Sequence, residues 1–130
     1  MKRRIFIKFS AYTAAAVAIP ALNACNQKPI NTAIAAPQFL KHFLDSKAII
    51  ETGQAYLKQV PGENNKNKLS DLLTSDASLR STSDTKTVFS YFDKKTRQDF
   101  EAGKITVVDG WILSVTEARQ CALFALTEAK

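Results

Sequence analysis

The side chains that most often carry nucleophilic, redox or metal chemistry are few in these 130 residues: two cysteines, one histidine and twelve carboxylates. Cys121 sits in the apolar run ARQCALFAL. There a thiol reads as a small buried hydrophobe. A reactive thiol needs a base or cation beside it in an open cleft, and the charged residues close to it in sequence are Glu117 and Arg119. His42 has no second histidine to join it in a metal site or a triad. It follows Lys41 and reads as a surface residue. Asp71, Asp76 and Asp84 are scattered, without the pairing that acid/base chemistry on one substrate uses. No H-E-x-x-H, C-x-x-C, G-x-G-x-x-G, G-x-S-x-G or P-loop pattern is present, and the 4 glycines form no phosphate cradle. The sequence therefore predicts no catalytic residue, no cofactor and no metal.

The elements that carry these residues are mostly helical. Phe39, Leu40, Phe43 and Leu44 recur at helical spacing after Pro37, a residue suited to a helix start. A second helix is predicted from about Lys47 to Gln59, capped by Asp45 or Ser46 and ended by Pro61-Gly62. Leu69, Leu72 and Leu73 mark a short third helix, and the Ser/Asp/Thr-rich SDASLRSTSD reads as a connector. The fourth helix, in DTKTVFSYFDKKTRQDFEAGK, places Val88, Phe89, Phe92, Thr96 and Phe100 on one stripe. That stripe reads as core. Lys94, Lys95, Arg97 and Asp99 lie mostly off it, and Gly103 suits the C-terminal cap.

Two β-rich runs then flank Asp109-Gly110, a strong signal for a two-residue hairpin over residues 105–114. The implied register pairs Val108 with Trp111, Val107 with Ile112 and Thr106 with Leu113. Both faces are apolar, whereas an antiparallel hairpin usually keeps one polar face for water. Either the hairpin is sandwiched between helices or one face meets a partner. In the second case Val108, Trp111 and Ile112 form the partner surface. Ser114 and Glu117 have capping-box spacing, and the final helix behind them is apolar on a broad stripe that calls for packing on more than one side. The expected fold is mainly α: a small domain of about five helices with one β-hairpin before the last.

The chain opens MKRRIFIKFS and continues through the apolar AYTAAAVAIPAL to LNAC. Charged head, apolar middle and small-residue end are the parts of an export leader. The apolar stretch is shorter than the roughly 20 residues of a membrane span. The pair Arg3 and Arg4, followed by Phe6 and Lys8, resembles the bacterial twin-arginine signal, whose translocase carries folded proteins. LNAC resembles a lipobox. By that resemblance residues 1–24 are removed, Cys25 is lipidated and residues 25–36 form a tether to residues 37–130, a single domain. Cys121 is then left without a disulfide partner. Asn26 in place of the Asp that usually retains such proteins on the inner membrane implies the outer membrane as the likelier periplasmic address. Four of the eighteen Lys and Arg lie in the leader and none of the twelve Asp and Glu do, so the mature chain carries 14 positive against 12 negative charges, a net +2. That is no nucleic-acid footprint.

In size, helical architecture and leader the chain is similar to the small accessory subunits of periplasmic flavoprotein gluconate, sorbitol and fructose dehydrogenases. The resemblance implies a non-catalytic accessory subunit and membrane tether, with the flavin chemistry in a large partner subunit. The alternative is a freestanding envelope lipoprotein that binds a peptide or envelope ligand.

Overall fold

The computed structural model describes residues 33–75, 79, 80, 82 and 84–128. Arg3, Arg4, Phe6 and Lys8, read from sequence as an export signal, Cys25, read as a lipidation site, and the carboxylate Asp76 lie outside them. Among the described residues, the elements whose bounds are defined are four α-helices and a two-stranded hairpin, in order: α1 (Ser46–Gln59), α2 (Lys66–Leu73), α3 (Thr85–Glu101), β1 (Ile105–Val108), β2 (Trp111–Ser114) and α4 (Val115–Glu128). The architecture is mainly α with the hairpin before the last helix, as the sequence predicts. Among the described residues no helix is long and apolar enough to cross a membrane.

Local chemistry sets the boundaries. Asp45 caps α1 by accepting from the Ala48 N–H, Asn65 caps α2 through Lys68 N–H, and Asp84 caps α3 through Lys86 N–H. The Ser114–Glu117 capping box forms in both directions. Glu117 N–H donates to Ser114 Oγ at 3.0 Å, and Ser114 N–H donates to Glu117 Oε2 at 2.9 Å. Gly103, at φ 70°, supplies the left-handed residue that turns the chain from α3 into β1.

The expected first helix is a single 3₁₀ turn, Leu40–His42. Its apolar spacing is right, but only Leu40 is buried, while Phe39 and Phe43 face outward. With no packed stripe, tertiary contact does not extend the turn into a helix. The packed region also begins earlier than expected. Ile34 and Ala35, grouped with the tether on sequence, lie in the core, and Gln120 Nε2 donates to the Ile34 carbonyl at 3.3 Å.

The core is organised around α4. Ala118, Cys121, Ala122, Leu123 and Ala125 are essentially inaccessible to water. Ile49 and Leu57 of α1, Leu69 and Leu73 of α2, Val88 and Phe92 of α3, and Val108 and Leu113 of the hairpin close over it. A helix buried nearly all round needs neighbours on several sides, and α4 touches α1, α2, α3 and both strands. The α1–α4 contact is the closest. A Cβ on Gly53 would lie 2.5 Å from the Cys121 carbonyl carbon and 2.9 Å from the Ala122 nitrogen.

Candidate partner-binding site

The hairpin register is the predicted one: Val108 opposite Trp111, Val107 opposite Ile112, Thr106 opposite Leu113 and Ile105 opposite Ser114. Asp109 and Gly110, with φ of 49° and 82°, make the two-residue turn whose twist matches the strands. Side chains alternate across the ribbon. Val108 and Leu113 point inward and are buried on α4. Ile105, Val107 and Ile112 point the other way, and no helix covers them. Together with Trp111 they are between 48% and 64% exposed. The sandwiched arrangement is therefore not adopted among the described residues.

This arrangement changes the predicted surface. Trp111 and Ile112 are exposed. Val108 is not: it shares the inner face with Leu113 and is wholly covered. Ile105 and Val107 take its place on the open face. Trp111 faces inward too, but it adjoins the turn, and about half of its surface remains in water. Ile105, Val107 and Ile112 make an exposed apolar strip on the outer face of the ribbon, and the half-exposed Trp111 adds apolar surface beside the turn; exposed apolar surface of this kind marks interaction sites.

The patch rests on a rigid support. Gln59 Nε2, at the end of α1, donates to the Val107 carbonyl at 3.1 Å and fixes the β1 edge. At the other end of the ribbon, Asp99 Oδ2 accepts from Thr116 N–H at 3.0 Å and Thr116 Oγ1 at 2.6 Å. This ties α3 to the first turn of α4, where a carboxylate is favoured by the helix dipole. Burial pushes the Glu117 carboxyl above its ordinary value against hydrogen bonding from Ser114, and Asp99 adds to the rise. Behind the hairpin, Arg119 Nη2 and Nε reach Glu63 Oε1 and Oε2 at 2.8 and 3.2 Å, and Tyr56 donates its hydroxyl to Glu63 Oε2 at 2.7 Å. Burial acts to raise the Glu63 carboxyl, but the Arg119 and Tyr56 hydrogen bonds outweigh it and hold the group below its usual value. Burial and the same carboxylate push Tyr56 up to about 12.

Sequence spacing points to the Ser114–Glu117 pair but not to the pairings of Asp99 with Thr116 or of Glu63 with Arg119 and Tyr56. Asp99 was read as lying mostly off the packed stripe, and Glu63 sits in a polar loop. Their partners are distant along the chain, so only the capping-box spacing at Ser114 and Glu117 signalled any of this network.

The chemically capable residues are not gathered. Cys121 is fully buried, and burial with Glu117 nearby pushes its thiol up to about 12, which removes it as a nucleophile. His42 is exposed on the 3₁₀ turn. Among the described residues no three His, Cys, Asp or Glu side chains converge on a metal-sized site.

A second surface lies along α3. Its stripe, expected to be core, is only half so. Val88 and Phe92 are buried, while Phe89, Thr96 and Phe100 line one wall of a pocket of about 250 Å³, with Pro37 and Phe39 opposite. Residues 36–40 line the pocket together with α3, and Phe89 and Phe100 stay 41% and 45% exposed.

Comparison with protein families, curated proteins and solved structures finds no match to this chain.

Proposed function

We propose that this chain is an exported, lipid-anchored accessory subunit that holds a larger periplasmic oxidoreductase at the membrane through its β-hairpin. The observation that carries the reading is the uncovered apolar face of Ile105, Val107 and Ile112, with Trp111 half exposed at the turn beside it. A freestanding small domain gains nothing from keeping these side chains in water, whereas an interface core is built from such groups. The leader and lipobox supply the export route and the anchor, and their resemblance to flavoprotein accessory subunits supplies the class of partner. Travel with a folded, leaderless partner is a physical reason for so small a chain to use a translocase for folded proteins.

The test is purification of the tagged protein from solubilised membranes, beside Trp111→Ala and Ile112→Asp variants. A flavin-bearing partner should co-purify with the wild type, and Trp111→Ala should weaken the complex by about 2 kcal/mol or more. The melting temperature of the subunit itself should hardly move, since Trp111 is half exposed. Absence of a flavoprotein, or one retained fully by Ile112→Asp, refutes the reading.

The pocket along α3 favours a second reading, a freestanding envelope lipoprotein that takes an extended peptide against Phe89 and Phe100. Saturable binding of a peptide library member, abolished by Phe89→Asp and untouched by Ile112→Asp, would decide for it.

A further inference from the structure

The hairpin occupies one end of the domain, and a second apolar surface occupies the other. Gln59, the last residue of α1, holds the hairpin. Asp45, the cap at its start, follows directly on Phe43 and Leu44. α3 spans the same distance. Thr85, Lys86 and Phe89 in its first turns face Gln38 and His42 across a shallow depression, and its last turn leads through Gly103 into β1. A helix of 17 residues is about 25 Å long. The two surfaces are therefore opposite poles.

At the pole away from the hairpin, Phe43 is 69% and Phe39 is 56% exposed, more than any other described aromatic side chain. Their ring centroids lie 5.2 Å apart. Phe89 and Phe39 line the same pocket.

We propose that this phenylalanine pole lies on the bilayer and directs the hairpin pole away from it. The inference rests on the lipid-anchor reading of Cys25 and specifies how the anchored domain is oriented. The length of chain ahead of the described residues supplies the reason for a bilayer as the occupant. Cys25 precedes Ala33 by eight residues, a reach of about 28 Å at full extension. That reach is comparable with the length of the domain, so an anchored chain keeps its surface within reach of lipid, and the exposed ring pair of Phe39 and Phe43 selects this pole. At the effective concentrations that short tethers produce, a weak contact is enough. Aromatic rings settle at the boundary between headgroups and acyl chains. Charge balances around them: Lys41, Lys47 and Lys86 stand against Asp45, Glu51 and Asp84, and Lys47 already pairs with Glu51 at 3.8 Å. The contact is thus apolar in origin and indifferent to anionic lipid.

Trp111 is the sole tryptophan and reports the hairpin pole directly. The acylated full chain is reconstituted in vesicles whose lipids carry bromine in mid-chain, a short-range quencher of indole fluorescence. Wild-type emission should be unchanged by the brominated lipid. A Trp111→Phe, Phe43→Trp variant should lose most of its emission, equally in zwitterionic and anionic vesicles. Quenching of Trp111 in the wild type overturns the orientation. So does a Phe43→Trp probe that lipid leaves bright, including one that becomes shielded from acrylamide only when a protein partner is added. Mass spectrometry of Cys25 on the same sample separates the two levels. An unmodified cysteine refutes the anchor reading itself, whereas an acylated, vesicle-bound chain with an unquenched Phe43→Trp probe refutes only the pole.

Discussion

Replacing Gly53 with Ala tests the packing on which both surfaces depend. In a solvent-exposed helix interior the change stabilises by about 0.5–1 kcal/mol, because glycine loses more backbone entropy on folding. Gly53 is instead buried against the backbone of α4. The new Cβ would stand 2.5 Å from the Cys121 carbonyl carbon and 2.9 Å from the Ala122 nitrogen. These are main-chain atoms of a helix that every other element packs on, so they cannot swing aside as a side-chain tip would. α1 has to shift off α4, loosening Ile49 and Leu57 as it goes. Overpacking of this kind costs about 1–3 kcal/mol. Set against the entropy gain, the net loss should be about 1–2 kcal/mol, or roughly 4–8 °C in Tm per kcal/mol for a domain of this size. Gly62→Ala is the matched control. It has open space within 4 Å and no positive φ, so it should be neutral or stabilising by up to about 1 kcal/mol. Urea and thermal unfolding of both variants, followed by circular dichroism and Trp111 fluorescence, measure the difference. A Gly53→Ala protein as stable as wild type would refute the close approach of α1 and α4.

The two network carboxylates should give stability opposite pH slopes. Glu117 has a raised folded value, so its native form holds a proton that the unfolded chain has already released; its contribution falls as pH rises from the ordinary glutamate range through the raised value, and Glu117→Gln should flatten that part of the urea-stability profile. Glu63 has a lowered value, so its contribution is present above the ordinary range and is lost as pH falls through the lowered one; Glu63→Gln should remove that acid-side loss. Cys121 should resist alkylation in the native protein and react in urea, and native labelling at a free-thiol rate would contradict its burial. Replacing Arg3 and Arg4 with Lys should stop export, and unchanged periplasmic protein in that variant would dismiss the twin-arginine reading.

What sequence made legible here is what local chemistry decides. Asp109-Gly110 dictated the turn and hence the whole hairpin register, because a two-residue loop leaves no freedom to slip. Ser114 and Glu117 announced their capping box for the same reason. The failures share a different cause. Phe39 and Phe43 have helical spacing, but a helix forms there only if something packs on it, and sequence spacing does not reveal the absence of a partner element. Val108 and Trp111 share a strand face, yet one is covered and the other half open, and coverage is a tertiary property that strand alternation does not encode. The Asp99–Thr116 and Glu63–Arg119 contacts join residues 17 and 56 positions apart, a pairing that no local pattern encodes.

The central position of α4 also bears on when the domain becomes folded. α1, α2, α3 and the hairpin all complete their cores on a helix that is synthesised after them. While α4 is still inside the ribosome, Ile49, Leu69 and Val88 have no common surface to close upon, so growing chains stay open and a vectorial, helix-by-helix assembly is denied to them. Folding is then a single late event that follows emergence of Val115–Glu128. If a translocase for folded proteins reads the arginine pair, as proposed above, that pair is on offer before the domain behind it is complete. The interval between the two is set by the translation time of the intervening residues, and slowing synthesis near α4 should lengthen it.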